Sequence, residues 1–134
     1  MPVLIDTNVA IYLRDGDPEI VARVAALDEP PVMSIITHVE LEGGIATKPH
    51  LSEVRRSRLA EILAETPVLD FEAIMVDAYR NILEVSGYSR ARVLDRMIAA
   101  TAIAHGLTLI TINGDDFRDI PGLDLEIWPN PATQ

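Results

Sequence analysis

A chain of 134 residues with 49% hydrophobic side chains and no cysteine can bury a core as one domain over residues 1–134 without disulfide staples. No thiolate is available to a metal, so any bound cation would be held by oxygen or imidazole, which points to Mg²⁺ or Mn²⁺ before Zn²⁺. The net charge of −10, from 11 basic and 21 acidic residues, repels a polyanion at long range, unless several acids converge on cations that reverse the local field.

Residues 1–6 carry no basic segment and reach a carboxylate at Asp6, which argues against a secretory signal and for a cytoplasmic protein. The longest apolar stretch, 97–112, is broken at His105-Gly106 and is too short for a membrane span. In chain order, a doubly buried strand is expected over 3–5, a helix over 8–14 ending at Asp15-Gly16-Asp17-Pro18, and a second helix over 18–27. Glu29-Pro30-Pro31 breaks the chain, and a strand is expected over 32–36. Thr37 is then expected to cap a helix through Thr47, with Gly43-Gly44 marking close packing or a helix end. Further helices follow over 51–64, 72–85 and 90–104, with a brief strand at Val68-Leu69 and stops at Gly87 and Gly106. A strand over 107–111 and an edge strand over 125–128 complete the series. Strands alternating with helices give an α/β fold, a mostly parallel sheet with helices on both faces.

Ligands of open parallel sheets sit beyond the carboxyl ends of the strands. Three of the expected strands deliver acids there: Asp6 after the first, Glu40 after the second, and Asp115-Asp116 after 107–111. Each has a structural alternative. Asp6 can cap the first helix, and Thr37-His38-Val39-Glu40 fits a capping box in which the Glu returns to the cap N–H. Asp95 is harder to place innocently. It shares a helical face with Ile98, Ala99 and Ala102, while Arg92 and Arg96 are expected to point elsewhere, so its carboxylate needs either a buried arginine or a cation. Asp115 and Asp116 are adjacent and cannot both face one site. His38, His50 and His105 lack ligand spacing, and no Ser–His–Asp set, P-loop or dinucleotide glycine pattern is present.

Four segments resemble the PIN domain, specifically the VapC-type toxins of type II toxin–antitoxin pairs: L-I-D-T-N-V-A-I-Y-L, S-I-I-T-H-V-E-L-E-G-G, D-R-M-I-A-A-T-A-I-A-H-G-L and L-I-T-I-N-G-D-D-F. They occur in the family's order and span nearly the whole chain, while 47–88 carries no matching motif. The resemblance implies that Asp6, Glu40 and Asp95 are the three core acids and that Asp116, before Phe117, is the fourth. Thr7, Asn8 and Asn113 match supporting polar positions, and Asp115 is a departure without an assigned role. It implies a metal-dependent endoribonuclease that cuts RNA phosphodiesters with metal-activated water, taking Mg²⁺ or Mn²⁺ on Asp6, Asp95, Asp116 and Glu40. It also implies a homodimer and a cognate antitoxin whose C-terminal segment blocks the acidic groove. Arg80, Arg90, Arg92 and Arg96 are candidate RNA contacts, against the alternative of a solvated helix face with local ion pairs. Two rival readings are a non-catalytic PIN-like binding module and a phosphoacceptor receiver-like domain. The receiver needs a lysine near its acids, and the one lysine, Lys48, lies away from any strand end.

Overall fold

The computed structural model describes residues 2–133. Its strands are β1 (Leu4–Ile5), β2 (Met33–Ser34), β3 (Val68–Leu69), β4 (Leu109–Thr111) and β5 (Leu125–Ile127). Its helices are α1 (Thr7–Arg14), α2 (Pro18–Ala25), α3 (Ile35–Ala46), α4 (Ser52–Glu65), α5 (Ala73–Ser86) and α6 (Val93–His105), with short 3₁₀ turns at Pro49–Leu51, Arg90–Arg92, Gly114–Asp116 and Pro131–Thr133.

All strand pairings among the described residues are parallel. β1 pairs with β4 (Leu4 opposite Leu109), β4 with β5 (Thr111 opposite Ile127) and β2 with β3. A bridge from Leu4 to Val32, with Ile5 N–H donating to the Val32 carbonyl at 3.0 Å, joins the two groups into the order β3-β2-β1-β4-β5. The order reverses between β1 and β4, which opens a crevice at the carboxyl ends of those two strands. Asp6 follows one of them and the 111–116 segment follows the other.

The short central strands β1 and β4 persist because both of their faces are covered. Leu4 and Leu109 enter one core with Ala78, Ile82, Ile98 and Phe117, which brings α5 and α6 onto that side. Ile5 and Ile110 enter the other with Val9, Ile20, Leu41 and Leu59, from α1, α2, α3 and α4. All four strand residues are fully buried, each worth roughly 1.5–3 kcal/mol relative to exposure. The expected two-faced α/β layering therefore holds, and the edge strand at the C-terminal end is present as β5. None of the described helices is long and apolar enough to cross a membrane.

The boundary that bears most on the site differs from expectation. The run 32–36 does not stay extended: β2 stops at Ser34, whose hydroxyl accepts from the Ile36 N–H at 3.0 Å and starts α3 at Ile35. The cap is Ser34 rather than Thr37, because a hydroxyl at a β-to-helix junction satisfies an otherwise free first-turn amide. Ser34→Ala is expected to cost about 1 kcal/mol in urea unfolding; an unchanged midpoint would remove Ser34 as the cap. Gly44 is a close-packing glycine within α3, since a Cβ there would stand 3.2 Å from the Arg14 guanidinium.

Candidate active site

Asp6 occupies the junction between β1 and α1 and is 2% exposed. One carboxylate oxygen accepts from the Thr7 amide at 2.8 Å, the N-cap role anticipated for it. The other accepts from the Thr111 hydroxyl at 2.8 Å, across the crevice from the end of β4. Thr111 in turn accepts from the Asn113 amide at 3.0 Å, which begins the turn toward Asp116. Both partners of Asp6 are neutral. Burial pushes its pKa up to about 7, with further upward pressure from Asp95 and Glu40, despite the two hydrogen bonds pulling it down.

Glu40 is not engaged in a capping box. Thr7 Oγ1 donates to Glu40 Oε1 at 2.6 Å, and the buried Thr37 hydroxyl lies 3.0 Å from Thr7 Oγ1. With the Thr7 proton committed to Glu40, Thr37 is the donor in the second bond. The chain Thr37, Thr7, Glu40 thus crosses from α3 to α1 and back, and it turns Glu40 toward Asp6.

Asp95 lies in the first turn of α6, half-buried above Ile98, Ala99 and Ala102. Burial raises its pKa to about 6, and the charges of Asp116 and Glu40 push the same way while Arg92 opposes them. Arg92 was expected to point away from this face. It sits instead in the 3₁₀ turn before α6, where helical periodicity does not govern direction, and it donates to the Asp116 carbonyl at 2.9 Å with 3.9 Å to the Asp116 carboxylate.

The adjacent acids diverge as expected. Asp115 is exposed and paired with Arg118, while Asp116 faces Arg92 and Asp95. Asn113, Gly114 and both Asp115 and Asp116 line an open pocket of about 560 Å³ with Ile112, Arg118 and Ile127. Gly114 packs closely under Ile127: a Cβ there would overlap the end of that side chain, which would have to shift. Asn8 is half-buried beside Thr7 at the start of α1.

The candidate RNA contacts separate into two groups. Arg80 is exposed and paired with Asp77 at 3.1 Å, Arg90 is exposed, and Arg92 borders the acids. Arg96 cannot meet RNA: it is 2% exposed and committed to the Gly87 carbonyl and Asp119. The residues missed in the sequence are Thr37 as a link to Glu40 and Thr111 as a partner of Asp6. Thr111 was visible only as a strand end; its role depends on β4 lying next to β1.

The arrangement is chemically suited to a hard cation. Its donors are all carboxylate oxygens, the acids repel one another, and Asp6 has only neutral partners. Among the described residues no group of three or more acidic or imidazole side chains stands close enough together to hold a metal ion by itself. Mg²⁺ does not require one, since it retains several waters and is bound through one or two carboxylates plus substrate phosphate.

Five parallel strands with acids gathered at the central reversal define a PIN-type domain. Residues 3–123 match the PIN domain family. The chain is 31% identical to Ribonuclease VapC2 of Rickettsia felis, across 96% of this chain and 98% of that protein. It is 30% identical to the tRNA(fMet)-specific endonuclease VapC of Salmonella typhimurium, across 93% of this chain and 96% of that one. Among solved structures, VapBC2 from Rickettsia felis bound to a DNA fragment from its promoter aligns with a TM-score of 0.84 at 28% identity, over 96% of this chain and 99% of that chain. DNA-bound VapBC from Salmonella typhimurium aligns at 0.82 and 27%, over 96% and 98%. The chain belongs to the PIN domain family and, within it, to the VapC group.

Proposed function

We propose that this protein is a Mg²⁺- or Mn²⁺-dependent endoribonuclease and the toxin of a VapBC-type toxin–antitoxin pair. The observation that supports this reading is that Asp6 feels the charges of Asp95 and Glu40, and Asp95 those of Asp116 and Glu40, with Asp6 and Asp95 both pushed toward protonation by burial and by these acidic neighbours. Carboxylates held together at such cost are paid back when a cation binds. The names of the relatives, ribonucleases and endonucleases found with antitoxins, support the same chemistry.

When bound, a divalent cation supplies a Lewis acid that makes water a competent nucleophile near neutral pH and offsets charge on phosphate oxygens. Asp6 and Asp95 would hold it, and Asp116 would complete the acidic rim. Asp6 is oriented through both oxygens by Thr7 and Thr111, and each oxygen keeps a lone pair for a further partner. Glu40, steadied at one oxygen by Thr7, would have its other oxygen for the cation or for a proton from the attacking water. Arg92, with Arg90 and Arg80 farther along, offers a guanidinium to RNA phosphates at the border of the site. Asn8 and Asn113 contribute polar support. Asp115, exposed and paired with Arg118, is left out of the acid set in this reading.

The antitoxin of such a pair would present a basic segment to these acids, a match for a chain with net charge −10. A homodimer acting in the cytoplasm completes the reading.

The test is purified, antitoxin-free protein incubated with total RNA in Mg²⁺, Mn²⁺ or chelator, with every new 5′ end mapped. Discrete cuts are expected with metal and none with chelator. Equal cleavage in chelator would overturn cation dependence, and no cleavage by folded protein on any RNA fraction would overturn the nuclease.

A further inference from the structure

Arg96 is the largest of the fully buried side chains, yet it carries a charge. Taking a guanidinium out of water is costly unless its donors are well used, and a buried ion pair is weak support for stability even then. The use made of Arg96 is uneven. Nη1 donates to the Gly87 carbonyl at 2.6 Å, just beyond the end of α5. Nη2 reaches Asp119 Oδ2 at 3.3 Å, and Nε is buried without a partner. The Asp119 carboxylate is itself half exposed.

What Arg96 does accomplish is local. Asp119 lies three residues beyond Asp116, in the turn that brings the fourth acid to the site. Ser86 Oγ donates to the Asp119 carbonyl at 2.7 Å, and Arg92 donates to the Asp116 carbonyl at 2.9 Å. Phe117 and Ile120, both buried, plug the same turn into the core. The 116–119 segment is thus tied to the end of α5 and to both sides of Asp95, since Arg92 and Arg96 flank that acid on the approach to and along α6.

We infer that Arg96 is a positioning residue for the cation site: by clamping the 116–119 turn to α5 and α6, it holds Asp116 opposite Asp95. This inference rests on the reading of the four acids as a cation site and adds to it a residue that touches neither cation nor RNA. Groups that orient metal ligands from behind typically change metal affinity or activity by about 10–100-fold when removed.

The experiment compares the wild-type full chain with Arg96→Met, Arg96→Lys, Asp119→Asn and Asp95→Asn. Mn²⁺ binding is followed by the loss of the free-ion electron paramagnetic signal, thermal unfolding by circular dichroism, and kcat and KM on a cleaved RNA. Arg96→Met, close in volume and uncharged, is expected to remain folded, to bind Mn²⁺ roughly 10–100-fold more weakly, and to lose kcat without a rise in KM. Arg96→Lys should recover part of the affinity, and Asp119→Asn should weaken it in the same direction by less. Wild-type Mn²⁺ affinity and kcat in folded Arg96→Met would overturn the inference alone. If Arg96→Met does not fold, wild-type Mn²⁺ affinity in Asp119→Asn overturns it. Wild-type protein that binds no Mn²⁺, or Asp95→Asn that binds it equally well, would overturn the cation reading and this inference with it.

Discussion

Asp95→Asn is expected to lower kcat by on the order of a thousandfold, the scale lost when one transition-state charge contact is removed, while leaving the protein folded. The two halves of this result have one physical source. Asp95 stands on an α6 face whose other members, Ile98, Ala99 and Ala102, are fully buried, and burial lifts its pKa to about 6. At neutral pH the folded chain therefore carries an ionised carboxylate that its surroundings disfavour and that Asp116 and Glu40 repel. An amide of the same shape relieves that repulsion, so the melting temperature should hold or rise. It also loses the charge and half of the oxygen donors that a Mg²⁺ site uses. Single-turnover cleavage alongside thermal unfolding reads both. A folded variant with full activity would remove Asp95 from the chemistry, and an unfolded one would mean that its carboxylate has a stabilising partner.

The acids could be found in the sequence because local patterns place them. Val3-Leu4-Ile5 and Leu107 to Thr111 are short apolar runs bounded by polar turns, and an acid just past each is at the carboxyl edge of a parallel sheet whatever the strand order. Asp95 was exposed by periodicity alone, a charge on an apolar stripe. The junction at Ser34 was not legible, because Val-Met-Ser-Ile-Ile is equally a buried strand or the start of a buried helix. Reading it as all strand moved the cap to Thr37 and made Glu40 look like half of a capping box. The hydroxyl chain from Thr37 through Thr7 to Glu40 spans about thirty residues of sequence and could be seen only once α1 and α3 lay side by side.

The arginines failed for a related reason. Arg92 and Arg96 are four residues apart and look like one solvated face of a continuous helix. The helix begins at Val93, so Arg92 turns from a 3₁₀ segment toward Asp116, and Arg96 is drawn inward to a carbonyl and a carboxylate from two other segments. The preference for Asp116 over Asp115 depends on the adjacent Phe117 motif, and in the structure the two carboxylates have different partners, Arg92 for Asp116 and Arg118 for Asp115.

Asp6→Asn should make the metal-free protein more stable near pH 7 and erase part of its dependence on pH. In the folded state Asp6 keeps its proton up to about pH 7, against 3.8 for the ordinary carboxyl. Between those values the folded chain binds more protons than the unfolded one, so this group's contribution to stability falls as pH rises from about 4 to about 7 and is constant outside that window. Asp95 acts in the same direction over a narrower range, ending at about 6. Other carboxylates oppose the trend, among them Glu42, which Arg56 holds below its usual value. The informative quantity is therefore the difference in melting temperature between wild type and Asp6→Asn, measured from about pH 4.5 to 7.5. That difference should be small at the acid end and grow in the variant's favour toward neutrality, by about 4 °C for each kcal/mol of relief. Saturating Mg²⁺ should close the gap from the other side, because a bound cation stabilises the ionised wild-type site and finds a poorer ligand in the amide. A pH-independent difference would mean that Asp6 ionises normally in the folded chain. A Mg²⁺-induced rise of equal size in both proteins would place the cation away from Asp6.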